Sequence, residues 1–98
     1  MIALPGQEIL DEGLPDLHAG QLTVAALLLL IGGYRLRRVG VLVPDRPDVP
    51  DPEKALYMLL CEDGERNPHG RDLALIRRLE SLERAAEFRH GRARRMAG

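Results

Sequence analysis

The chain has 98 residues, which leaves room for one hydrophobic core and not two. Apolar residues make up 45% and charged residues 30%, the balance of a folded domain, and a net charge of −1 argues against a polyanion binder as a whole. Only Tyr34, Tyr57 and Phe88 are aromatic, so the core has to come from leucine, valine, isoleucine and alanine, and the lone Cys61 excludes an internal disulfide or a multi-cysteine zinc site.

Pro5 and Gly6 open a first helix over Gln7–His18. Ile9, Leu10, Leu14 and Leu17 recur at helical spacing, and acids occupy the first turns, where the positive end of a helix dipole favours them. Pro15 removes one backbone hydrogen bond and crowds the preceding turn at a cost of ~3 kcal/mol. A kink or break is therefore expected at Gly13–Leu14, with Gly20 ending the segment. Thr23 can cap a second helix. Every residue from Val24 to Ile31 is apolar, so this helix has to be buried on all sides, by the rest of the chain or by a second copy. Gly32-Gly33 is expected to end it. Tyr34–Val39 then makes a short helical turn carrying Arg35, Arg37 and Arg38, stopped by Gly40, and Val41–Val43 is extended chain.

Pro44–Pro52 contains four prolines among aspartates and arginine, a stiff connection between an N-terminal half (residues 1–43) and a C-terminal helical pair (residues 53–91). Asp51 caps a third helix with Pro52 at its first position, and Gly64 stops it after Glu62 or Asp63. Its core stripe is Ala55, Leu56, Leu59 and Leu60. A fourth helix starts at Asn67-Pro68 or Asp72 and runs to His90, with Gly91 as its C-terminal cap and residues 92–98 as a basic tail. Leu75, Leu79, Leu82 and Ala86, with Ile76 beside them, form its packing seam. Arg77, Glu80, Arg84 and Glu87 lie opposite, and Glu80–Arg84 is a favourable pair worth a few tenths of a kcal/mol.

The fold class is thus all-α, a small bundle of four to five helices. The N-terminus carries acids instead of a basic leader, and eight consecutive apolar residues fall well short of the ~20 that span a bilayer. Together with the single thiol, this leads to the expectation of a soluble cytoplasmic protein with no membrane contact. The ratio of thirteen arginines to one lysine fits a GC-rich prokaryotic genome.

Catalytic signatures are sparse. His18, His69, His90 and Cys61 do not pair at the spacing that places two ligands on one helix face, so no metal or cofactor is expected. Cys61 lies between Leu60 and Glu62 near a helix C-terminus, the wrong end of the dipole for a thiolate nucleophile, and is expected to be partly covered beside the Leu59–Leu60 stripe. There is no phosphate-binding glycine loop with a following lysine, and Ser81 is the one serine. From Arg84 to His90 the chain reads arginine, five residues, histidine. This resembles the R-x4-6-H motif of the HEPN family, small all-helical proteins that often cleave RNA. The resemblance covers seven residues and implies a dimer in which Arg84 and His90 converge on a phosphodiester. Ala85 departs from it, since a polar residue commonly follows the arginine.

Leu22–Val41 also invites a helix-turn-helix interpretation. An apolar first helix without a polar face and a second helix of barely more than one turn count against it. The tail is strongly basic: from Arg84 onward there are five arginines against Glu87, whereas the first twenty residues hold four acids and no lysine or arginine. On these grounds a protein-interaction module is expected, antitoxin-like or an adaptor for a larger protein, homodimer favoured over monomer. Tyr57, Met58, Leu73 and Phe88 are its candidate contact residues, because they fall off the core stripes. The alternative is a small nucleic-acid binder using Arg35, Arg37, Arg38, Arg92, Arg94 and Arg95, and the third is a HEPN-like ribonuclease using Arg84 and His90.

Overall fold

The computed structural model describes the backbone of residues 4–97 and the side chains of residues 4–93. Four helices follow one another, α1 (Gln7–His18), α2 (Val24–Arg38), α3 (Pro52–Glu62) and α4 (Pro68–Ala97), with no strand among the described residues. α2 is the axis: α1, α3 and α4 each pack against it, and α3 also packs on α4. The run from Ala25 to Leu29 is buried along its whole length. One chain therefore covers the helix that has no polar face, and a second copy is not needed for that purpose.

The helices start where short polar side chains can accept from exposed N–H groups. Thr23 accepts from the Ala26 N–H at 3.3 Å, Asp51 from Lys54 at 3.1 Å and Asn67 from Gly70 at 3.0 Å. Thr23 also donates to Asp16 at 2.6 Å, tying the end of α1 to the start of α2. α1, α2 and α3 end alike. A glycine at positive φ (Gly20, Gly40 or Gly64) lets the chain turn back so that the next N–H reaches a carbonyl five residues earlier, as from Val41 to Leu36 at 3.0 Å.

α2 and α4 run parallel, because their contacts climb together. Leu28 and Leu75 line one hollow, Gly32 faces Leu79, and Arg35 reaches Glu83 and Glu87. Leu28, Leu36, Leu56, Leu79 and Leu82 are among the fully buried side chains at the centre.

Four sequence expectations are corrected. Gly32-Gly33 does not end the second helix, and Tyr34–Val39 is not a separate turn: α2 runs unbroken to Arg38. A glycine inside a helix costs only about 1 kcal/mol relative to alanine, and here it admits a neighbour. A Cβ at Gly32 would lie 2.9 Å from Leu79 Cδ1. Without a turn at that place the helix-turn-helix interpretation has no second helix.

α1 likewise passes through Pro15 without a break. Pro15 is exposed, while Ile9 and Gly13 before it and Leu17 after it are buried, so packing on both sides holds the helix together. α4 does not stop at His90. It continues through Gly91, which keeps a negative φ, to Ala97, so residues 92–97 are helix and not a frayed tail. Alanines and arginines flank Gly91, and both are strong helix formers.

Cys61, finally, is exposed and not partly covered. With Leu56 and Leu60 turned inward, a step of about 100° per residue carries Cys61 outward, in line with Lys54, Tyr57 and Met58. Thiol reagents should therefore modify Cys61 in dilute native protein about as fast as in the denatured chain. A native rate far below the denatured one, in a stopped-flow thiol assay, would contradict an outward Cys61.

Candidate interaction surfaces

The outer face of α3 carries Lys54, Tyr57, Met58 and Cys61 at steps of three, one and three residues, all exposed. Tyr57 is 40% and Met58 51% accessible. These two candidates thus stand together. Leu73 and Phe88 are also exposed, on the same outward stripe of α4 as Arg77 and Arg84, but fifteen residues apart, so ~22 Å along the axis. Three further exposed apolar side chains, Leu22, Tyr34 and Leu42, carried no signal off a core stripe and were not anticipated. The Arg38 guanidinium stands 5.8 Å over the Tyr34 ring.

Of the six arginines assigned to nucleic acid in the alternative, Arg35 and Arg37 make polar contacts that hold the fold together. Arg37 donates to the Val43 carbonyl at 2.8 Å and the Pro44 carbonyl at 3.3 Å, pinning the chain that leaves α2. Arg35 joins α2 to α4, 3.1 Å from Glu87 and 3.7 Å from Glu83. Arg92 is exposed. The side chains of Arg94 and Arg95 lie outside the described residues.

Glu83 is the residue that sequence reasoning missed. It is 5% exposed, a carboxyl set in the apolar seam of α4. Its position four residues after Leu79 and three before Ala86 was the available signal. Burial pushes its pKa above the ordinary glutamate value, Arg35 opposes the rise, and Glu87 and Glu80 add to it. The native state therefore holds the Glu83 proton more tightly than the unfolded chain does. Between the ordinary glutamate pKa and the raised native one, ionising Glu83 subtracts stability as the pH rises. Arg35 keeps Glu87 if Glu83 is neutralised. Glu83→Gln should accordingly be at least as stable as the parent at pH 7, with the advantage shrinking as the pH falls through the carboxyl range. Parallel urea melts of the two chains across that range check it. A Gln variant markedly less stable at neutral pH would mean that the Arg35 pairing outweighs the burial.

Arg84 and His90 are not brought together within one chain. Arg84 stands 3.9 Å from Glu80 and lines a hollow with Ile31 and Ile76, whereas His90 lines a separate one with Arg38, Val39 and Glu87. His18 and His69 are exposed, and no group of three metal-binding side chains occurs among the described residues.

A broad concavity lies at the other end of α2. It is a groove of about 740 Å³ between α1, the first turn of α2 and the end of α3. Its floor is apolar, from Leu22, Val24, Ala25 and Leu59, and its rim is Asp11, Glu12, Asp16 and Asp63. Asp11 and Asp16 are held by neutral donors, the Gln7 amide and the Thr23 hydroxyl. A second hollow continues from it, sharing Glu12, Val24, Ala25 and Asp63, and reaches Arg71 and Arg78. There Arg78 hydrogen-bonds Glu8 and holds that carboxyl below the ordinary glutamate range.

Comparison with protein-family models, with curated proteins and with solved structures gives no match for this chain. Among the described residues no helix is long and apolar enough to cross a membrane.

Proposed function

We infer that the protein is a small interaction module, which works by binding a protein surface: a second copy of itself or a larger partner for which it serves as an antitoxin-like or adaptor subunit. The observation that carries this is the outward stripe of α3, where Tyr57, Met58 and Cys61 stand in water although the same chain encloses the wholly apolar α2. Aromatic and methionine side chains on an exposed face are the residues most enriched in protein interfaces. With α2 enclosed by its own chain, this surplus on α3 and α4 is what supports association.

Light scattering on the purified chain at micromolar concentration tests it. Association through α3 predicts a mass above the monomer that falls when Tyr57 and Met58 are both replaced by serine. A monomer mass unchanged on dilution, with no tendency to aggregate, would exclude the homodimer and leave a heterologous partner. A mobility-shift titration over salt concentration separates this role from nucleic-acid binding, which would show affinity falling steeply as salt rises.

A further inference from the structure

Resting on the interaction role inferred above, we propose that the acidic groove is a socket for the C-terminal end of α4 from a second copy, so that chains join head to tail. The two surfaces lie at opposite ends of one molecule. The groove sits beside the first turn of α2, and α4 runs parallel to α2, so its C-terminus leaves at the far end of a body 49 Å long. Thirty helical residues at ~1.5 Å each nearly span that length. The end of α4 therefore cannot fold into the groove of its own chain, and the occupant has to be another one.

The surfaces match in chemistry. Near its end one side of α4 is open: an added Cβ at Gly91 would meet no described atom within 4 Å. Phe88 is 64% exposed there, on one stripe with Arg84 and Arg92 at four-residue steps. The segment from Arg84 onward carries five arginines against Glu87. The groove offers an apolar floor, in Leu22, Val24 and Leu59, and a rim of four carboxylates with no cation among its described lining. Phe88 seats on the floor while Arg84 and Arg92, on its stripe, meet the rim. Unlike surfaces joined in this way form a heterologous contact, which repeats along an open chain unless a ring closes. Contacts at a charged rim weaken as salt screens them.

Sedimentation velocity on the full chain tests this. At ~20 mM salt, with a screening length of about 20 Å, species should grow in size with protein concentration. At ~500 mM salt, where the length is about 4 Å, they should fall back towards monomer. Two double variants then isolate the contact, and all four positions are exposed. Glu12→Lys with Asp63→Lys disables the socket, and Phe88→Ser with Arg92→Glu disables the plug. Each variant alone should be monomeric. Mixed, they should form a one-to-one dimer and nothing larger, because one intact plug meets one intact socket. The dimer also reports that both variants are folded. Variants that assemble as the parent does, or a mixture that stays monomeric while the parent assembles, would overturn the proposal. A discrete dimer persisting in both variants but lost in the Tyr57, Met58 serine variant would overturn head-to-tail joining and retain association through α3. A parent that is monomeric throughout would overturn head-to-tail joining and the homodimer alike.

Discussion

Leu29→Ala should cost about 2–5 kcal/mol of folding stability, and Leu27→Ala a similar amount. Leu29 is 0% and Leu27 2% exposed, although two residues along a helix point about 200° apart. Both can be inward only because α1, α3 and α4 surround α2. Truncation of either side chain removes apolar contact and leaves a cavity that rigid helices on several sides cannot close. Folded domains of this kind hold only ~5–15 kcal/mol in all, so either variant should lose a large part of its stability. Urea denaturation checks this. A loss below about 1 kcal/mol at both positions would mean that α2 is not enclosed.

Gly13→Ala should destabilise the protein by about 1–3 kcal/mol, although alanine is worth about 1 kcal/mol more than glycine inside an ordinary helix. The reversal comes from the contact between α1 and α2. A Cβ at Gly13 would stand 2.5 Å from Leu29 Cδ1 and 2.8 Å from the Ala25 carbonyl oxygen. The leucine methyl can rotate away, but the carbonyl belongs to the α2 backbone and moves only if the helices part. Gly91→Ala is the control. That glycine is also helical and its added Cβ meets no described atom within 4 Å, so the substitution should stabilise by about 0.5–1 kcal/mol. In a domain of this size each kcal/mol moves the midpoint by roughly 4–8 °C, so thermal melts should show opposite shifts for the same chemical change. A Gly13→Ala protein as stable as its parent would show that α1 is free to move off α2.

Much of the architecture was legible in local chemistry. Thr23 and Asp51 marked helix starts, and Asn67 was one of two starts offered for α4, because a short polar side chain there satisfies an otherwise unpaired N–H; Gly20 and Gly64 marked ends because the turn needs positive φ. The stripe of Leu75, Leu79, Leu82 and Ala86 named the buried face of α4, since its period is that of the helix itself. The apolar run in α2 announced a central helix for the same reason: no face of it can meet water. The candidate surfaces were half legible. Tyr57, Met58, Leu73 and Phe88 followed from helical phase, whereas the groove joins Asp11, Glu12, Asp16 and Asp63 from segments that only folding brings side by side.

The amino-acid sequence by itself determined the all-α class, the helix starts and the inward stripes, all of which depend on residues within a turn or two of each other. The tertiary structure alone decided what Gly13, Gly32, Gly91 and Pro15 do. Each carries a local penalty of only ~1–3 kcal/mol. Whether such a residue breaks a helix or lets a neighbour approach depends on what packs across from it: α2 against Gly13, Leu79 against Gly32, no described side chain in front of Gly91. The same holds for Glu83, a carboxyl that packing of α4 on α2 buries in the seam, within 3.7 Å of Arg35 across the interface. These outcomes rest on contacts between residues far apart in the chain, and helical periodicity contains no record of them.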